Sequence, residues 1–125
     1  MSSIAIIDIG SNSVRIRISS GGKVFFRETI TTQLAKDMTG NMLSDRSIIR
    51  TFDGLDKLIF SAKEHNAKIY AFATAAVRNS KNGNVFTEEF YKRYGFNIDV
   101  ISGELESKIG INGAIGGAEN GTVID

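Results

Sequence analysis

With 125 residues, 42% of them apolar and 23% charged, the chain has the length of one domain and enough apolar material for a core. Fifteen basic residues against fourteen acidic ones leave a formal charge of +1, which excludes the bulk basic field that holds a nucleic acid polymer or an anionic membrane. Cysteine is absent, so disulfides and thiolate metal sites are excluded. No apolar run reaches the roughly 18 residues of a membrane span, and no basic region precedes the first apolar strand, so the expected location is the cytoplasm.

Ser3–Ile9, Val14–Ser19 and Val24–Thr31 read as strands, rich in β-branched residues, with Ser-Ser-Gly-Gly-Lys at 19–23 as a hairpin turn. Three consecutive strands with short connections imply an antiparallel meander, because a parallel pair needs a crossover. Ile4-Ala5-Ile6-Ile7 is apolar on both faces, which predicts burial from both sides in the middle of a sheet. Residues 33–43 are polar and irregular. Ser44 then N-caps a helix running to about Asn66, with Ile48, Phe52, Leu55, Ile59 and Ala62 forming one apolar stripe. Lys68–Ala73 is a strand, Asn84–Tyr94 a helix and Asn97–Ile101 a strand. A glycine-rich helix is expected over Ser102–Gly117, and Val123-Ile124 begins another strand. Strands that first meander and then alternate with helices give a mixed sheet, antiparallel at one edge and parallel beyond it.

Three stretches carry candidate chemistry. The first strand delivers Asp8 into Gly10-Ser11-Asn12-Ser13, and Arg15 follows on the same strand face as Ser13. Successive backbone N–H groups in such a turn make an anion-binding concavity. A carboxylate beside a phosphate cradle would repel the anion unless a cation sat between them, so Asp8 points to Mg²⁺. The turn by itself is equally a hairpin connection with an Asx turn. In the second stretch Thr74 and Arg78 follow the strand ending at Ala73, where open α/β sheets bind ligands and where Arg suits bidentate phosphate contact. In the third, Ile101-Ser102-Gly103 leads into Glu104 and Glu106. Acidic residues there complement a helix dipole, or one of them acts as a general base for water. His65, the only histidine, is expected on the surface. The chain contains neither GxxxxGK[ST] nor GxGxxG, so a P-loop or Rossmann site is not supported.

In order, "IDIGSNSVR", "MLSDRSIIRTFDGL", "FATAAVRNSKNG", "VISGELES" and the terminal "VID" resemble the N-terminal domain of the exopolyphosphatase and guanosine pentaphosphate phosphohydrolase family. The resemblance implies an α/β domain of the ribonuclease H-like (actin-like ATPase) type over residues 1–125. Its expected architecture is a mixed five-stranded sheet with an N-terminal antiparallel meander and helices on both faces. The activity implied is release of terminal phosphate from polyphosphate or pppGpp with Mg²⁺. Matched motif by motif, Gly10, Ser11, Asn12, Ser13 and Arg15 form the first phosphate loop with Asp8, Arg78 contacts phosphate, and Glu106 rather than Glu104 is catalytic. Asp125 opens the second phosphate loop and, with Asp8, holds the metal.

Gln33, Ala35 and Asp37 stand where the family carries an arginine and two glycines, and Leu105 replaces a glutamate, which bears on substrate preference. The chain is expected to be a truncated half that lacks the second domain, folds, and hydrolyses little on its own. The whole protein is expected to pair as a homodimer through regions outside this chain. Two further readings stand beside this one: a kinase-like member of the same superfamily, and a non-catalytic module that senses phosphate or nucleotide.

Overall fold

A computed structural model describes residues 2–105. In chain order these form β1 (Ser3–Ile9), β2 (Ser13–Ser20), β3 (Lys23–Thr31), α1 (Asp45–Glu64), β4 (Ala67–Ala73), α2 (Ala75–Asn79), α3 (Gly83–Tyr94) and β5 (Asp99–Val100). The five strands make one sheet in the order β3-β2-β1-β4-β5. β1, β2 and β3 pair antiparallel, while β1–β4 and β4–β5 are parallel. The meander and the mixed sheet are as the sequence predicts.

Local chemistry explains the connections. Gly21 and Gly22 both have positive φ, the mirror-image turn that matches the twist of a two-residue hairpin, and they join β2 to β3. The Ser44 hydroxyl accepts from the Ser47 N–H at 3.1 Å and caps α1 as expected. Gly95, left-handed at φ 79°, ends α3.

The core lies on one face of the sheet. Ala5, Ile7 and Ile9 of β1, with Val14, Ile16 and Ile18 of β2, meet Phe52, Leu55, Leu58 and Ala62 of α1 and Phe86 and Phe90 of α3. Phe52 and Phe86 stack at 4.7 Å, joining the two long helices. Fully burying a side chain of this size contributes roughly 1.5–3 kcal/mol, which places most of the stability in this layer. The described helices all feed this one cluster. On the other face Ile4 is 41% exposed, so among the described residues β1 is covered on one side, not two. The helix expected over Ser102–Gly117 lies almost wholly outside the described residues, as does the terminal strand. Its opening is within them: residues 103–105 are helical, and the Leu105 N–H donates to Ser102 Oγ at 3.0 Å.

Three local expectations change. A short helix, α2, occupies residues to which the sequence assigns no element. The strand expected over Asn97–Ile101 is reduced to Asp99–Val100. His65 is not a bare surface residue, since its ring lies 5.3 Å from Phe25 and 5.2 Å from Phe26. A register shift at Ile18/Ser19 pairs Ile18 with Phe26 and Ser19 with Val24, which leaves Phe25 as the extra residue of a bulge and lets both rings reach His65.

Candidate functional site

β1 and β4 run side by side with Ile9 opposite Ala73, so their C-terminal ends lie together at one edge of the sheet. The Thr74 N–H donates to Ile9 O at 3.2 Å, and the Ile101 N–H donates to Ala73 O at 3.1 Å, which brings the third parallel strand to the same edge. β1 is also where the sheet changes from parallel to antiparallel. The chain leaves β1 towards β2 and β4 towards β5, on opposite sides, and such a reversal of strand order leaves a crevice beyond the strand carboxyl ends where α/β sheets bind ligands.

The turn after β1 occupies that crevice. It closes through the Gly10 N–H, which donates to Ser13 O at 3.0 Å. A second segment, residues 32–36, braces it from outside. The N–H groups of Thr32 and Gln33 donate to Asn12 O at 3.0 and 2.9 Å, and that of Ala35 donates to Ser11 O at 3.0 Å. Peptide planarity settles what this does to the donors. In a trans peptide the C=O and the following N–H point in opposite directions, and cis bonds are absent among the described residues. With the Ser11 and Asn12 carbonyls turned to the 32–36 strap, the N–H groups of Asn12 and Ser13 point away from it.

A cleft of about 290 Å³ is lined by Asp8, Arg15 and Thr74 together with Gly10, Ser11, Asn12 and Ser13. Seven of the residues singled out in the sequence thus come together. Asp8 and Arg15 sit directly opposite each other across β1 and β2, so a carboxylate and a guanidinium share one wall. Thr74 is 6% exposed and precedes α2, and its hydroxyl makes no cap bond to that helix. The arrangement offers hydroxyls, backbone N–H groups and one cation to an anion, and a carboxylate to a hard cation.

Arg78 is not among the described lining residues. Its Nη1 donates to Ile101 O at 2.9 Å, and a Cβ added to Gly103 would lie 3.8 Å from its Nη2. The guanidinium therefore lies against the segment that leads from β5 towards Glu106. Glu106 and Asp125 themselves lie outside the described residues. The contribution the sequence did not disclose is the 32–36 strap, because it works through backbone groups that carry no residue signature. A larger cavity of about 550 Å³ opens beside Tyr91, Lys92 and Val100 and shares no described residue with the cleft. It lacks the converging strand ends and oriented turn, so the smaller cleft is the better candidate.

This sheet order, with a polar cleft at its change of direction, is that of the actin-like ATPase fold. Solved structures agree. An exopolyphosphatase from Cytophaga hutchinsonii matches with a TM-score of 0.85 and 24% identity, over 90% of this chain and 38% of that one. A Ppx/GppA family member from Aquifex aeolicus matches with a TM-score of 0.78 and 29% identity, over 86% and 37%. The chain belongs to the Ppx/GppA phosphatase family, whose sequence model matches residues 14–125. It is 32% identical over 126 residues to a bifunctional 3-dehydroquinate synthase/phosphatase of Fusobacterium nucleatum, covering 89% of this chain and 19% of the relative. It is 31% identical over 112 residues to a guanosine-5'-triphosphate,3'-diphosphate pyrophosphatase of Pseudoalteromonas translucida, covering 83% and 22%. The chain therefore spans about a fifth of the length of these curated relatives.

Proposed function

We propose that this chain is the phosphate-gripping half of a phosphoanhydride hydrolase that releases terminal phosphate from inorganic polyphosphate or pppGpp. The observation that carries the reading is the turn at Gly10–Ser13, held with its carbonyls outward at the edge of the cleft lined by Asp8, Arg15 and Thr74. Hydroxyls of Ser11, Ser13 and Thr74, the Asn12 and Ser13 N–H groups and the Arg15 guanidinium would bind the terminal phosphoryl oxygens, spreading their charge over several donors. Arg78, bonded to Ile101 O, would contact phosphate from the β4 side, and Glu106 would take the proton of the attacking water.

The donor set fits Mg²⁺. Among the described residues no three His, Cys, Asp or Glu cluster together. A single carboxylate in a hydroxyl-lined cleft suits a small hard cation completed by waters and ligand phosphates. Asp8 would hold it, with Asp125 as a second ligand. Bound there, the cation would offset phosphate charge. Among the described residues no helix is long and apolar enough to cross a membrane.

The test has two arms. Adding tripolyphosphate with Mg²⁺ to this chain should shift the amide resonances of Ser11, Asn12 and Ser13, with little phosphate released. In a longer homodimeric form carrying the second domain, phosphate release should be readily measured and should vanish in Glu106→Gln while binding persists. Turnover by the short chain equal to that of the longer form would overturn the division of labour. Binding without any release by the longer form would instead make the protein a phosphate sensor.

A further inference from the structure

We propose that Arg50, on α1, is a positioning residue for the phosphate turn, acting through one peptide group of the 32–36 strap. The proposal rests on the phosphate-binding reading of that turn. The Arg50 Nε donates to Thr32 O at 2.6 Å, and its Nη2 donates to Gln33 O and to Ser47 Oγ, both at 2.9 Å. Ser47 is fully buried, and its hydroxyl donates to Lys36 O at 2.9 Å. Three carbonyls of the strap are thus fixed by two side chains of α1, one turn apart, while three of its N–H groups fix the carbonyls of Ser11 and Asn12.

The direct line between the two ends is short. Thr32 C=O and Gln33 N–H belong to the same peptide group, and so do Asn12 C=O and Ser13 N–H. Arg50 bonds the first carbonyl, the Gln33 N–H donates to Asn12 O at 2.9 Å, and the Ser13 N–H points away from the strap. A permanent cation on the carbonyl end of this series polarises each amide in turn, and hydrogen bonds in such chains strengthen one another. The Ser13 N–H becomes a better anion donor although Arg50 does not line the cleft. Gln33 holds φ 52°, a left-handed conformation unusual for a residue with a Cβ. Such a conformation persists where surrounding bonds over-determine it, and Gln33 has them on both backbone groups.

Nuclear magnetic resonance on Arg50→Lys and Arg50→Ala separates positioning from plain support. Lysine retains the charge but not the fork, so it should restore only part of the effect. In ligand-free Arg50→Ala the Gln33 amide should exchange on the order of tenfold faster, the loss expected for one charge-assisted bond, and the Ser13 amide proton should move upfield. Amides of Ala5 and Ile7 should keep their protection, and ethylguanidinium should restore the Ser13 shift. Should Arg50→Ala not fold, Arg50→Lys carries the same comparison with smaller changes. Unchanged Gln33 exchange and Ser13 shift, or a uniform loss of protection through β1 without rescue, would overturn the proposal. These readouts need no ligand, so a wild-type chain that fails to bind tripolyphosphate would sink the phosphate reading and leave the positioning claim to be decided separately.

Discussion

Thr32 carries a buried hydroxyl without a hydrogen-bond partner among the described residues, while its methyl packs beside Gly54, where an added Cβ would come within 2.8 Å. Removing an unsatisfied polar atom without changing shape relieves a desolvation cost. Thr32→Val should therefore raise unfolding free energy by about 1 kcal/mol, read as a higher urea midpoint at constant slope. Asp8 gives a prediction of opposite character. In isothermal titration, Mg²⁺ should strengthen tripolyphosphate binding to the wild-type chain. Asp8→Asn should bind better than wild type without the metal and gain little from adding it. An undiminished Mg²⁺ effect would remove Asp8 from the metal's shell. At this scale the sequence singled out residues that the fold gathers in one cleft, Asp8, the small turn residues and Arg15. It was silent on Arg50 and on Asn82, whose side chain brackets Leu43 through its N–H at 2.8 Å and its carbonyl at 3.1 Å. Their partners are backbone groups far along the chain, and a carbonyl has no letter in the sequence.

Among the elements, α1 and α3 are joined at the surface by a polar clasp. Tyr94 donates to Asp56 at 2.5 Å, Arg93 meets Glu89 at 2.9 Å and Asp56 at 3.7 Å, and the Arg93 guanidinium lies 4.6 Å from the Phe52 ring centre. Burial, and then the bond to Asp56, push the Tyr94 phenol well above its ordinary value of 10.0. The raised value means the fold prefers the neutral phenol, so this contribution is intact below pH 10 and is lost as the pH rises beyond it. Tyr94→Phe should unfold more easily than wild type at pH 7, and the gap should narrow above pH 10. A gap independent of pH would remove the linkage. The long elements followed from periodicity and from Ser44. α2 did not, because five residues are too few for a helical period and Thr74 makes no cap bond. β5 is shorter than its apolar pattern suggested, pairing with β4 only at Phe72–Asp99 and Ala73–Val100. The bulge that brings Phe25 and Phe26 to His65 is a matter of register, which local composition does not encode.

At the level of the whole molecule, the antiparallel edge and the parallel remainder of the sheet followed from connection lengths, since short turns force antiparallel neighbours and a helix allows a parallel one; the placement of β4 beside β1 did not. Which residues meet in the cleft needed the pairing of β1 with β4 in register. That pairing also governs the order in which the site can form. β1, β2 and β3 are neighbours along the chain and close small loops, whereas Ile9 meets Ala73 only after the whole of α1 has been spanned. Closing the longer loop costs more entropy and is slower. In pulse-labelled refolding, amides of β2 and β3 should gain protection before those of β4; simultaneous protection would count against the sequence of events. During synthesis, the turn at Gly10–Ser13 emerges in an early hairpin, yet Thr74 and the floor beside it arrive much later. Anion binding would then be a capacity acquired near the end of folding, and a phosphate ligand would stabilise the finished domain without speeding its assembly.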